Sequence, residues 1–309
     1  MENIPNKSEN MEVADETDTR PIELSENENI SISSTHRGSI VSTPIVLAAV
    51  EEEKYNTTYP NLGIALVINQ VNFKRMAKRE GSDKDRDNIS SALKTNGFDV
   101  RVFNDLTKKE LIAMLKTIAS EDHWQNSCLV VVVMTHGEKD VLYASDNVYP
   151  VSELWEPFVG DACLSLLEKP KLFFIQACRG EKFDDGVKLV KVVTDTVDAQ
   201  SSPEPQPYVI PTMADLLVMY STYDGHYSWR NPVNGSWFMQ SLSYVLERNA
   251  HSDKEKDLLQ LLTAVSRKVA YQYQSNVPNK LIMDAKKQMP CIVSMLTKEF
   301  YFPKNKNTS

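Results

Sequence analysis

The sequence predicts an α/β fold in which a mostly parallel sheet is covered by helices on both faces. Three observations carry this. Apolar runs rich in Val, Ile and Leu are continuous rather than alternating, as in strands buried on both sides. Amphipathic stretches at helical spacing separate them. With 309 residues, 41% of them hydrophobic, the chain has enough apolar surface to build a full core. The first run is LGIALVI at 62–68, and after a polar stretch Ile89, Ala92 and Leu93 share one face of a helix over 87–96. The unit then repeats, with FDVRVF at 98–103, a helix through Leu111, Met114, Leu115 and Ile118, and CLVVVVM at 128–134. A helical region around 151–167 leads to KLFFIQ at 171–176. Regularity then fails over 181–213, which holds Asp184-Asp185-Gly186 and the prolines Pro203, Pro205, Pro207 and Pro211. A connection this long points to function or disorder. Beyond it come a strand at about 214–221, helices near 235–249 and 253–274, and a last run, CIVSML, at 291–296.

Composition excludes several classes of function. Residues 1–54 hold 12 acidic and 4 basic side chains, so the whole formal charge of −8 sits in this leader. The remainder is neutral on balance and offers no basic footprint for nucleic acid or for an anionic membrane surface. The leader has no aromatic residue and no periodicity, and it reads as a disordered acidic segment. No apolar run approaches the roughly 20 residues that span a bilayer, and the N-terminus lacks the basic-then-apolar pattern of a signal peptide. The cysteines Cys128, Cys163, Cys178 and Cys291 have neither disulfide-framework nor metal-cage spacing. These features indicate a reducing, cytoplasmic setting, with no metal and no cofactor.

In open parallel sheets, ligands and catalytic groups gather beyond the C-terminal ends of the strands. Two runs end in chemistry there: CLVVVVM in Thr135-His136-Gly137, and KLFFIQ in Ala177-Cys178-Arg179-Gly180. On neighbouring strands, a thiol and an imidazole would share one rim, beside glycines that let backbone amides approach a substrate. That set suits acyl transfer, in which a thiolate attacks a carbonyl, a histidine moves the proton and amides hold the oxyanion. Taken alone, a cysteine after a strand is more often a small core residue. The pentapeptide Gln176-Ala177-Cys178-Arg179-Gly180, with His136 lying 42 residues upstream, reverses that reading.

From about Tyr55 to Phe302 the chain resembles the caspases. The resemblance runs through NFKRMAKREGSDKD at 72–85, MTHGE at 134–138, KPKLFFIQACRG at 169–180, YSWRN at 227–231, GSWFMQSL at 235–242 and AKKQMPCIVSMLTKE at 285–299. It implies a caspase-like fold, with a central, mostly parallel six-stranded sheet in one domain cut into large and small subunits. It also implies a thiol endopeptidase that cleaves after aspartate in Asp-x-x-Asp sequences and acts in apoptosis as an executioner. By motif, Cys178 is the nucleophile and His136 protonates the leaving amine. The amides of Cys178 and Gly137 form the oxyanion hole, and the carbonyl of Ala77 orients His136. Arg79, Gln176 and Arg230 match the pocket that holds the aspartate, where guanidinium groups supply fixed charge and paired donors. Tyr227 and Trp229 match the aromatic walls of the neighbouring subsite, Ser228 matches a substrate-binding position, and Asn231 and Trp237 match the subsite for the more distal aspartate. The segment NVPNKLIMD at 276–284 departs from the phenylalanines that many executioners carry there.

Two stretches of the chain show the family's own target pattern: Asp15-Glu16-Thr17-Asp18 in the leader and Asp195-Thr196-Val197-Asp198 in the irregular connection. The resemblance therefore implies a zymogen with a 1–54 prodomain cut after Asp18. Residues 55–198 form the large catalytic subunit and 199–309 the small one, joined through a 181–213 linker and separated by cleavage at Asp198. Implied partners are protein substrates with exposed Asp-containing loops, an upstream initiator caspase and inhibitor-of-apoptosis proteins. A second copy of the chain is also implied, giving a homodimer paired through the last strand. An inactive homologue serving as a decoy would lack the cysteine, the histidine or a pocket arginine, and this chain has all of them.

Overall fold

The apolar runs become neighbouring strands of one sheet because their side chains are buried on both faces. The computed structural model describes residues 52–186 and 211–303, together with the backbone of Glu16–Thr17. Asp18, Asp198 and most of the expected prodomain and linker lie outside the described residues. In chain order the strands are β1 (Glu16–Thr17), β2 (Asn61–Asn69), β3 (Asp99–Asn104), β4 (Asn126–Met134), β5 (Gly137–Glu138), β6 (Val141–Tyr143) and β7 (Val148–Pro150). There follow β8 (Lys171–Gln176), β9 (Leu216–Tyr220), β10 (Trp229–Asn231), β11 (Gly235–Ser236) and β12 (Cys291–Ser294). The helices are α1 (Ser82–Thr95), α2 (Lys108–Ala119), α3 (Trp237–Ala250) and α4 (Leu258–Gln272).

The central sheet has six strands in the order β12-β9-β8-β4-β2-β3. All neighbours are parallel except the edge strand β12, which runs antiparallel to β9. Every residue of β4 and β8 is buried, which explains why these runs read as unbroken hydrophobic stretches. Successive residues face opposite sides. Val130 and Val132 pack with Ile89 and Leu93 of α1, Phe238 and Leu242 of α3, and Leu261 and Val265 of α4. Val131 and Val133 face the other way, onto Leu111, Leu115 and Ile118 of α2 and onto Leu154, Phe158 and Leu166. Each of these fully buried side chains contributes roughly 1.5–3 kcal/mol of hydrophobic stabilisation. The ladder between β8 and β9 runs from Lys171 opposite Leu216 to Ile175 opposite Tyr220, so it joins segments from the two sides of the expected linker.

Local signals set the helix starts. Thr107 caps α2 in a reciprocal box with Glu110, the Ser236 side chain accepts from Met239 N at the start of α3, and Asp257 caps α4 through Leu259 N. Two elements differ from expectation. The region 151–167 is a series of short 3-10 turns (Val151–Leu154, Glu156–Phe158, Gly160–Ala162 and Leu164–Leu166) rather than one helix. Pro157 removes a backbone donor there and Gly160 turns left-handed at φ +57°, so a continuous α-helix cannot form. Helix α1 begins at Ser82 rather than near 87, because its first turn is polar and gives no apolar periodicity, although Ser82 and Asp85 are fully buried. Among the described residues, no helix is long and apolar enough to cross a membrane.

Candidate active site

Strands β4 and β8 lie side by side, with Met134 opposite Gln176 at their C-terminal ends. Each chain then runs on by two residues, to His136 and to Cys178, and Thr135 N donates to Gln176 O at 3.0 Å to keep the two exits together. Parallel register therefore delivers the imidazole and the thiol to the same rim. Both are buried. Cys178 Sγ accepts from Ser228 N at 3.2 Å, and the thiol faces Ser228 O at 3.7 Å. His136 Nε2 lies 2.8 Å from the carbonyl oxygen of Ala77. A carbonyl can only accept, so Nε2 carries a proton and Nδ1 is the nitrogen left to take up or release one. The Phe73 ring, 4.7 Å from the imidazole between centroids, restricts its tilt. A Cβ on Gly137 would stand 2.7 Å from Cys178 O, so only glycine allows its backbone this close to the nucleophile's.

The structure brings Arg79, Gln176 and Arg230 to this rim from three separate segments. Arg79, in the loop between β2 and α1, donates through its guanidinium to Gln70 O at 3.2 Å and to Ser82 Oγ at 2.6 Å. Arg230, in β10, donates to the carbonyl of Glu80, the residue next to Arg79. Gln176 Nε2 donates to Ser228 Oγ at 2.9 Å. All three side chains, and Ser228, are buried. A guanidinium remains charged in any setting, and these oxygens fix its orientation.

The aromatic residues form a stacked row beside the pocket. Phe183 stacks on Tyr227 with centroids 4.4 Å apart, Trp229 on Trp237 at 5.7 Å, and Trp237 on Tyr273 at 5.5 Å. Val277 and Met283, from the 276–284 segment, pack into the same cluster. Trp229 and Trp237 are buried, so both pack as core residues here. Asn231 accepts from Val233 N and Asn234 N, both at 3.0 Å, and closes the turn between β10 and β11.

Sequence reasoning gave no role to several residues that hold the site. The side-chain oxygen of Gln288 accepts from Trp229 N at 2.6 Å, while its Nε2 donates to Ser221 O at 2.8 Å, tying β10 to the end of β9. Nothing in a lone glutamine signals such a bridge. Asp85 is fully buried, and its two carboxylate oxygens accept from Ser236 N at 3.0 and 2.9 Å. A Cβ on Gly235 would lie 2.2 Å from that carboxylate. The β10–β11 hairpin, and with it Arg230, is thus held on the first turn of α1. Asp85→Ala leaves a buried amide unsatisfied, at a cost of about 3 kcal/mol. Thermal unfolding is expected to show a Tm lower by roughly 8 °C, and Asp85→Asn, which keeps an acceptor, is expected to lose less than half of that.

Residues 62–301 match the family model described as Caspase domain. The chain is 42% identical over 255 residues to Caspase-1 of Spodoptera frugiperda, covering 82% of each protein. It is 41% identical over 254 residues to Caspase-3 of Bos taurus, covering 81% of this chain and 88% of that protein. To Caspase-7 of Gallus gallus it is 42% identical over 253 residues, covering 81% of this chain and 80% of the other. The crystal structure of Caspase-1 from Spodoptera frugiperda superposes with a TM-score of 0.75 at 40% identity, covering 84% of this chain and 98% of that one.

Proposed function

From the fact that the chain belongs to the caspase family and is therefore a cysteine-type endopeptidase, we propose that it cleaves proteins after aspartate in Asp-x-x-Asp sequences as an executioner in apoptosis. One observation carries this reading. A thiol, an imidazole and two buried guanidinium groups meet at one rim beside the short strand β10, along which an extended peptide can pair. Cys178 attacks the carbonyl carbon of the aspartate, and His136 gives its proton to the leaving nitrogen. The amides of Cys178 and Gly137 hold the oxyanion. Arg79, Gln176 and Arg230 grip the aspartate side chain. Tyr227 and Trp229 shape the next subsite, Ser228 contacts the bound substrate, and Asn231 and Trp237 shape the distal subsite.

In this reading the protein is a cytoplasmic zymogen. A cut at Asp198 separates a large subunit, 55–198, that carries Cys178 and His136 from a small one, 199–309, that carries Arg230. An initiator caspase makes that cut, and inhibitor-of-apoptosis proteins restrain the product. Two subunit pairs associate through β12, an edge strand of the central sheet, which a twofold axis can set against its twin so that the sheet continues. The test is hydrolysis of fluorogenic peptides that differ only in the last residue before the dye. Aspartate is expected to exceed glutamate and asparagine by at least about 100-fold in kcat/KM. Equal cleavage after aspartate and glutamate would overturn the pocket assignment.

A further inference from the structure

The loop between β2 and α1 brings three groups to the rim. The Phe73 ring lies against His136, the Ala77 carbonyl oxygen stands 2.8 Å from His136 Nε2, and Arg79 belongs to the pocket. Residues 70–80 form neither helix nor strand, so no regular ladder fixes their backbone. The loop is closed at its base instead: Arg79 N donates to Val71 O at 3.0 Å, and the Arg79 guanidinium donates to Gln70 O at 3.2 Å.

One side chain from another segment grips that base. Asp105, the residue after β3, accepts through Oδ1 from Val71 N at 2.7 Å and from Asn72 N at 2.9 Å, and through Oδ2 from Asn72 Nδ2 at 2.7 Å. Its own amide donates to Asn69 O at 3.0 Å, so main chain and side chain together bind four consecutive residues of the loop's entry, 69–72, to the exit of β3. Asp105 does this from a left-handed backbone, φ +51°, a region that aspartate enters more readily than most residues. Burial by itself would raise its pKa, but the amides of Asn72 and Val71 and the Asn72 side chain outweigh that and hold it below the usual carboxylate range. Leu106 extends the attachment. Its carbonyl accepts from Gln70 Nε2 and from Ser145 N, both at 3.0 Å, and Ser145 O accepts from Lys74 N at 2.8 Å.

Resting on the function proposed above, we infer that Asp105 is a positioning residue for the cleavage: by holding the amides of Val71 and Asn72 it fixes the loop that aims His136 through Ala77 and sets Arg79 in the aspartate pocket. The carboxylate makes its contacts at the loop's base, and its influence on the reacting atoms passes through residues 73–79. A shift of about 1 Å at a catalytic group costs on the order of 100-fold in rate. Because one loop carries both the partner of the imidazole and a pocket guanidinium, loss of Asp105 damages turnover and selectivity together.

Three variants test this: Asp105→Gly, which removes the carboxylate yet suits the left-handed backbone, Asp105→Asn, and Thr107→Ala, which removes the cap of α2 two residues further on. Each is assayed, at a temperature where it is folded, on fluorogenic peptides that end in aspartate or asparagine before the dye. Asp105→Gly is expected to lower kcat at least about tenfold and to narrow the preference for aspartate at least about threefold. Asp105→Asn keeps an acceptor for the two amides but loses the bond from Asn72 Nδ2, and its kcat is expected to fall only about threefold. Thr107→Ala is expected to lower Tm while kcat and preference stay within about twofold of the parent. Hydrogen exchange of the same proteins is expected to quicken at 71–79 in Asp105→Gly and to stay unchanged in β4 and β8. Faster loop exchange with parent-like kcat and preference overturns the positioning role, as does an equal loss of kcat in Thr107→Ala. If Asp105→Gly does not fold, Asp105→Asn decides, and a parent-like kcat there overturns the inference while the function stands. A parent that cuts neither peptide overturns the function itself, and this inference with it.

Discussion

Cys178→Ala is expected to lower kcat/KM on an Asp-x-x-Asp peptide by at least about 10⁴-fold while leaving the fold intact. The side chain is small and buried, and its sulfur accepts from Ser228 N at 3.2 Å, so alanine removes the nucleophile at a modest change in side-chain volume. Strand-end geometry predicts that His136→Ala falls in the same range but not as far. A thiol keeps some nucleophilicity without a base, and the remaining deficit lies in protonating the leaving amine. Initial rates, measured on samples with matched Tm, decide the point. A Cys178→Ala protein within tenfold of the parent would place the chemistry elsewhere.

The second large effect is electrostatic. Arg230→Ala is expected to reduce kcat/KM for the aspartyl peptide by roughly 10³-fold, since truncating one partner of a buried, hydrogen-bonded charge pair costs about 2–5 kcal/mol. Arg79→Ala should lose a similar factor, because the two side chains are linked through consecutive residues: Arg230 donates to the carbonyl of Glu80. Arg230→Lys tests whether charge alone suffices. A lysine keeps the charge but loses the planar pair of donors, and it is expected to recover less than a tenth of the lost activity. The discriminating measurement pairs each variant with peptides ending in aspartate or asparagine. If the arginines grip the carboxylate, the wild type's preference for aspartate collapses in the variants. A uniform loss on both peptides would reassign the arginines to structural support.

Much of the fold was legible because buried parallel strands write themselves as continuous apolar runs. KLFFIQ at 171–176 is strand β8 residue for residue, and CLVVVVM lies inside β4. The proximity of His136 and Cys178 was legible for the same reason, since a parallel register turns two strand ends into one rim. The carbonyl expected to orient the histidine, that of Ala77, lies 2.8 Å from Nε2. Less legible were features that depend on tertiary proximity. Gln288 and Asp85 support β10 from positions 59 and 151 residues away from the amides they bind, and their side chains carry no local pattern. The short β5–β7 and β10–β11 pairings escaped detection because two- and three-residue strands are too brief for alternation to show. Strand β1 escaped for a different reason. It belongs to an acidic segment with no apolar periodicity, and only its main-chain pairing with β10 marks it as a strand.

The β8–β9 ladder has a consequence for the history of the molecule. Parallel neighbours require a long crossover, and here the crossover contains residues 187–210, within which the proposed cut at Asp198 falls. While the chain is whole, finding that pairing is a unimolecular search. After a cut, the two pieces stay joined by the sheet and by the packing of α1 against α3, but nothing covalent records that they were ever one. A nicked molecule that unfolds must find its other half by diffusion, at a rate that depends on how much of it is present. On the proposed cut, the uncut chain can rebuild itself alone, whereas the cut protein would depend on never coming apart, and its working life would be set by how slowly it unfolds rather than by how well it refolds.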